Sequence, residues 1–278
     1  MRVKHRFAFR DDNADAIHLL DKFKIKYDKE HNIVAFNIFE SDDAFVTIER
    51  LLKSHNITSI PTAVYTRDEI EYAQWLVIRS GWNILYPQPE EDMGYRFTTY
   101  DATNYCAGDE PKYFCRKGLV QKEGFVLKKE PNWGARNFLA IHWVSDELFV
   151  SPKAAEVLRR SGLKGFDFYD VSSKSKKVFA GIKQLFINNY VGEGFSADAI
   201  QRKYVCPMCG FTKYWPKPGC FRFHKKIFEG VQDDIIKTTD KFWEIQCDSL
   251  IFISQRFYQV INNAKLDRGL AFEPVVLI

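Results

Sequence analysis

Along the first hundred residues, apolar positions switch between period two and helical spacing. Val3, His5, Phe7 and Phe9 fall on one face of a strand. Ala16, Leu19, Leu20 and Phe23 then recur at helical spacing after Asp12 and Asn13, residues able to cap a helix. Ile25 and Tyr27 open a short strand, residues 28–32 turn it, and Ile33–Phe39 answers it. Ser41 is placed to cap a second helix with Phe45, Ile48, Leu51 and Leu52 inward, and Ser59–Tyr65 reads as a further strand. The order β-α-β-β-α-β predicts a ferredoxin-like sandwich. Thr66-Arg67-Asp68-Glu69 has the form of a capping box and predicts a third helix with Ile70, Ala73, Leu76 and Val77 inward. Pro87, Pro89 and the run Glu90-Glu91-Asp92 mark a boundary. The expected organisation is an α/β sandwich over residues 1–98 and a second domain over 99–278.

That second domain carries an internal repeat. Asp146–Ser151 opens one unit, which runs through Val157 and Leu158 to Leu163, Phe166, Phe168 and Val171. Asp248–Ser254 opens another, through Val260 and Ile261 to Leu266, Leu270, Phe272 and Val275. In each, an apolar strand ends at a serine able to cap a helix, a glycine (Gly165 or Gly269) follows the helix, and a strand of alternating apolar residues closes the unit. The units span about 99–172 and 200–278, each behind a pair of cysteines. The fold class is therefore α+β: a βαββαβ-type domain followed by two strand-helix-strand units.

Apolar residues make up 46% of the 278, and no stretch reaches the roughly 18 apolar residues that span a bilayer. No apolar run of signal-peptide type follows Met1, so the expected location is the cytoplasm, where six cysteines read as metal ligands or buried thiols rather than disulfides. Residues 1–100 hold 13 Lys/Arg against 16 Asp/Glu and the remainder 27 against 20, an acidic front end on a basic body.

Candidate chemistry centres on Cys206-Pro207-Met208-Cys209-Gly210. Two thiolates at this spacing hold one Zn²⁺ from a tight turn, which a following glycine lets the backbone close. A structural site needs four ligands, and two sets offer them. One is local: Cys206, Cys209, Cys220 and His224. The other is distributed: Cys206 and Cys209 with Cys106 and Cys115, whose longer spacing requires residues 107–114 to bulge between the ligands. In either set the site is closed and its role structural.

Several stretches resemble the bacterial double-CXXCG motif proteins, in which two cysteine knuckles each precede a repeat of this kind. They are Tyr105-Cys106, Cys115–Gln121, Phe125–Pro131, Asp146–Ser151, Cys206–Gly210 with Lys213-Tyr214, and Phe272–Val275. The resemblance covers residues 100–278 and implies the distributed ligand set, with a zinc-ribbon-like site clamping the two units. At the first knuckle the chain departs from the pattern, since Cys106 and Cys115 stand far apart and Lys117-Gly118 replaces the direct Cys-Gly. Some members are associated with immunity to polymorphic toxins, so the resemblance implies a cognate toxin as partner.

No P-loop, G-x-S-x-G, H-E-x-x-H or G-x-G-x-x-G sequence is present, and the six histidines are scattered. The expectation is a non-catalytic, protein-binding immunity protein with structural zinc. An alternative is a zinc-ribbon nucleic-acid binder, because Lys213, Tyr214, Trp215, Lys217 and Arg222 interleave stacking faces with cations beside the knuckle.

Overall fold

A computed structural model describes residues 1–101, 106, 116–243 and 247–278. The chain is mixed α and β, with several sheets, and divides into two compact units, Met1–Glu69 and Ile70–Ile278.

In the N-terminal unit β1 (Arg2–Arg10), α1 (Ala14–Lys22), β2 (Tyr27–Glu30), β3 (Ile33–Phe39), α2 (Phe45–Ser54) and β4 (Ile60–Val64) build one antiparallel sheet in the order β2-β3-β1-β4. Period-two alternation sorts its faces: Phe7 and Phe9 are buried with Phe36 and Ile38 against Leu20, Ile48 and Leu52 of the helices. Arg6, Ala8 and Arg10 on the opposite face of β1 are exposed. Asn13 caps α1, its side chain accepting from the Ala16 N–H at 3.1 Å. Ser41 does not cap α2, which starts from Ala44 with no side-chain cap. Asp42 instead takes the local role, its carboxylate accepting from the Phe39 N–H at 3.0 Å.

The capping box at Thr66 forms reciprocally: Glu69 N–H donates to Thr66 Oγ1 at 3.2 Å and Thr66 N–H to Glu69 Oε2 at 2.8 Å. The helix it opens, α3 (Arg67–Glu71), stops early. Leu76 and Val77, expected on its inner face, lie instead in strand β5 (Trp75–Ser80). The run Leu76-Val77-Ile78 is buried on both faces, which only a central strand allows.

The C-terminal unit continues with α4 (Tyr95–Thr99), the short pair β6 (Tyr100–Asp101) and β7 (Val120–Gln121), the hairpin β8 (Phe138–Ile141) and β9 (Val144–Val150), then α5 (Pro152–Arg160), β10 (Asp167–Ser172) and β11 (Val178–Phe186). After β12 (Tyr190–Val191) come the hairpin β13 (Ile200–Val205) and β14 (Thr212–Pro216), β15 (Arg222–Phe223), β16 (Ile235–Phe242), β17 (Asp248–Ser254), α6 (Gln255–Asn263), β18 (Leu270–Pro274) and β19 (Val276–Leu277).

The two repeat units have the same antiparallel order, β10-β11-β9-β8 and β18-β5-β17-β16. In each, the strands flanking the helix are separated by one inserted strand. The insert follows its unit in one case (β11) and precedes its unit in the other (β5), so the second repeat is completed by residues from before position 98. The compact division accordingly falls at Glu69/Ile70. Ser151 and Ser254 cap α5 and α6, accepting from the Ala154 and Phe257 N–H groups at 3.2 and 3.1 Å. Both helices bury their apolar faces in one core, where Leu158 and Ile261 join Leu148, Val150, Ile251 and Ile253. Gly165 turns the chain after α5 at φ +100°, where a Cβ would sit 2.2 Å from the Ile235 carbonyl oxygen. Among the described residues no helix is long and apolar enough to cross a membrane.

Candidate metal centre and the ion cluster beside it

The β13–β14 hairpin delivers the knuckle. Val205 pairs with Thr212, and the chain between them closes through Cys206 N–H to the Phe211 carbonyl and Gly210 N–H to the Cys206 carbonyl, both 2.9 Å. Gly210 holds φ +68°, the left-handed conformation the tight turn requires. Cys206 is buried and Cys209 half-buried.

Cys106 completes a trio with them. Its sulfur lies 3.9 Å from Cys206 Sγ, and the three sulfurs fall within 4.8 Å of one another. Thiolates bound tetrahedrally at ~2.3 Å from zinc stand about 3.8 Å apart, so the spacing suits a metal–thiolate centre. Burial pushes the Cys206 thiol up, but the backbone N–H groups of Cys209 and Met208 and the thiols of Cys209 and Cys106 outweigh it and bring it down to about 7. A thiol held that low is a ready metal ligand.

Cys115, the other expected ligand, lies outside the described residues. Its neighbours nevertheless reproduce the second knuckle. Cys106 N–H donates to the Lys117 carbonyl at 3.0 Å, and Lys117 stands two positions after Cys115 as Phe211 stands two after Cys209. Arg116 takes φ +53° where the second knuckle places Gly210 at +68°. The first knuckle is thus closed by the same bond, with a longer chain between its cysteines.

The local ligand set is not brought together. Among the described residues the metal-competent trio excludes Cys220 and His224. The physical reason is β14, which carries the chain away from the knuckle for five residues, roughly 13 Å, before Cys220 is reached. The sixth cysteine, Cys247, is fully buried, and burial drives its thiol up to about 11 against the opposing pull of Lys241, Arg116 and Lys213.

The interleaved aromatic and basic residues are divided by the same alternation. Lys213 is 1% exposed with its ammonium over the Tyr204 ring, and Tyr214 packs on Phe195 and Phe242 in the core. Trp215 is partly exposed beneath the Arg202 guanidinium. Lys217 Nζ donates to the Asp198 carbonyl at 2.7 Å, and Arg222 pairs with the Asp198 carboxylate. These five residues do not make one exposed stacking surface.

No protein-family match is found for the chain, and no curated protein matches it.

Beside the first knuckle lies an ion cluster that periodicity does not reveal. The Arg116 guanidinium reaches inward, its Nη1 2.9 Å from Asp146 and 3.2 Å from Asp248. Aligning the repeats on their cap serines matches Ser145-Asp146 with Asp248-Ser249, the same pair in reversed order. The pairs interlock: Ser145 Oγ donates to Asp248, and Ser249 N–H donates to Asp146 Oδ2 at 3.2 Å. Lys241 Nζ donates to Ser249 Oγ at 2.7 Å, while buried Lys237 pairs with buried Glu147, which also accepts from Gln184 at 3.1 Å.

Burial pushes Asp146 up, but Arg116, Lys241 and Lys237 together hold its carboxyl far below the usual range. Asp248 moves the other way: burial, then the negative charge of Asp146, raise it to about 7 despite Arg116. Of the two carboxylates sharing the guanidinium, one keeps its charge and the other takes up a proton near neutrality. The signal legible in sequence is the Asp opening each repeat; the cations come from the segment before β7 (Arg116) and from β16 (Lys237 and Lys241).

Proposed function

We propose that this is a non-catalytic protein-binding protein, a member of the double-CXXCG family that acts in the cytoplasm as the immunity partner of a bacterial polymorphic toxin. A structural zinc ion held by Cys106, Cys115, Cys206 and Cys209 clamps the two repeat units. The matched closure of the two knuckles supports the zinc-ribbon-like site and the family reading, and the antiparallel order β2-β3-β1-β4 supports a ferredoxin-like N-terminal unit.

The observation that carries the binding role is the outer face of β1. Lys4, Arg6 and Arg10 stand on it in register, with exposed Arg2 at its start beside Phe39. Ile60 and Thr62 of β4 lie opposite Arg6 and Lys4. A row of cations on a flat sheet face suits an acidic partner surface and steers its approach. The acidic excess of the first hundred residues is spread over turns such as Asp11, Asp12, Asp42 and Asp43, over the helices, and over β2, whose Asp28 and Glu30 stand across β3 from Ala8 and Arg10 on the same outer face.

Co-expression of the full chain with the product of a neighbouring toxin-like gene, followed by pull-down, tests the reading. Stable capture, slowed at least about tenfold in association by Arg6→Glu with Arg10→Glu, is expected. Absence of such a neighbour, or of any co-purifying toxin, defeats it.

A further inference from the structure

A cavity of about 380 Å³ opens in the C-terminal unit beside the ion cluster, within the size range of small-molecule sites. Its rim includes Lys117 and Phe211, the two residues whose carbonyls close the knuckles. Arg116, Lys117, Lys237 and Lys241 line it against the carboxylates of Asp146 and Glu147, so the wall carries an excess of positive charge.

Most of these charges are satisfied by one another. Lys237 is paired with Glu147, and Arg116 is shared by Asp146 and Asp248. Among the described residues, Tyr100 and Lys241 keep donor capacity. Tyr100 is 4% exposed, yet its hydroxyl has no hydrogen-bond partner among the described residues. Leaving such a group unmade inside a protein costs about 1–3 kcal/mol. Lys241 spends one N–H on Ser249 and stands 4.0 Å from Asp146, beyond hydrogen-bond reach. Tyr100 and Lys241 both line the cavity, together with Arg116 and Asp146.

A buried hydroxyl donor and an under-used ammonium on a net cationic wall are complementary to a compact oxyanion. A neutral ligand would leave the excess charge unanswered, and a cation would meet it with the wrong sign. We propose that this cavity binds a small metabolite through one carboxylate or phosphate group, seated against Lys241 Nζ and Tyr100 Oη with the Arg116 guanidinium behind it. The acceptors on Asp146 and Glu147 are then left to hold hydroxyl or amino groups of the same molecule. The cavity belongs to the C-terminal unit and the cationic face of β1 to the N-terminal one, so the site stands or falls independently of toxin binding.

Calorimetric titration of the full-length, zinc-loaded chain with inorganic phosphate and, separately, with succinate tests the proposal. Saturable one-to-one binding of phosphate identifies a phosphate ligand, and of succinate a carboxylate ligand. Tyr100→Phe is expected to weaken that binding about five- to tenfold with no fall in melting temperature, because the hydroxyl it removes makes no hydrogen bond within the described protein. Lys241→Gln is expected to weaken it at least about tenfold. Failure of both anions to saturate overturns the proposal, and so does binding that Tyr100→Phe leaves unchanged.

Discussion

Cys106 Sγ and Cys206 Sγ lie 3.9 Å apart although one hundred positions of chain separate them. Each sits at the base of a turn closed by its own N–H, to Lys117 in one case and Phe211 in the other. A metal bound there joins the two halves of the C-terminal unit, so its binding free energy becomes folding free energy. A strong chelator is therefore expected to lower the melting temperature and expose the β13–β14 hairpin to protease, with both effects reversed by added zinc. Unchanged melting after complete metal removal would contradict this role.

Thiol chemistry in the metal-free protein should follow the local environments. Cys247, fully buried and raised to about 11, is expected to react last with iodoacetamide at neutral pH, behind the half-buried Cys209 and Cys220. Mass spectrometry of timed, quenched samples reads the order directly; early labelling of Cys247 contradicts it.

Arg116 is the cation shared by Asp146 and Asp248. Its replacement by Gln leaves a buried charged carboxylate without its partner, which typically costs about 3–5 kcal/mol. Adding Asp146→Asn to Arg116→Gln removes that uncompensated charge and is expected to recover part of the loss. Chemical denaturation of the single and double variants measures the coupling, and simple additivity of the two losses would refute the shared-charge arrangement.

Asp248 also sets a pH dependence. Its folded pKa of about 7 lies above the ordinary aspartate value, so the folded state holds a proton that the unfolded chain has released. Its contribution is fully present below about pH 4 and is lost as pH rises toward 7, by at most about 1.4 kcal/mol per pH unit. Asp146 has the opposite shift, and its loss falls below the ordinary aspartate range, outside this window. Asp248→Asn should therefore gain stability relative to wild type between about pH 5 and 7.5, and a flat difference across that range disproves the assignment.

Two glycines separate backbone strain from collision. Gly210 has φ +68° and open space where a side-chain methyl would sit, so Gly210→Ala should cost only about 1–2 kcal/mol. At Gly165 an added Cβ would meet both the Ile235 carbonyl oxygen at 2.2 Å and Asp233 Cβ at 2.8 Å, so Gly165→Ala should be markedly worse. Equal melting temperatures for the two variants would go against this ranking.

What is legible in the sequence follows from local rules. Asn13 and the serines at 151 and 254 cap the helices they precede, and the period-two runs at 2–10 and 33–39 are strands. Leu76 and Val77 mislead because a short apolar run buried on both faces has no periodicity to separate strand from helix. Their strand belongs to the second repeat, a long-range pairing that no local pattern encodes. The knuckle at Cys206 is visible from spacing, and Cys106 joins it only through the resemblance between its surroundings and a second knuckle. The ion cluster stays hidden because Arg116, Asp146, Lys237 and Asp248 converge from four segments. Likewise, Lys213 reads as a surface cation but occupies the buried face of β14.

Zinc content per chain, read by plasma mass spectrometry in protein purified without chelators, decides the metal centre. One equivalent is expected in wild type and in Cys220→Ser, with loss in Cys206→Ser and Cys115→Ser. Zinc retained without Cys206, or lost on Cys220→Ser alone, contradicts a centre built on the two knuckles.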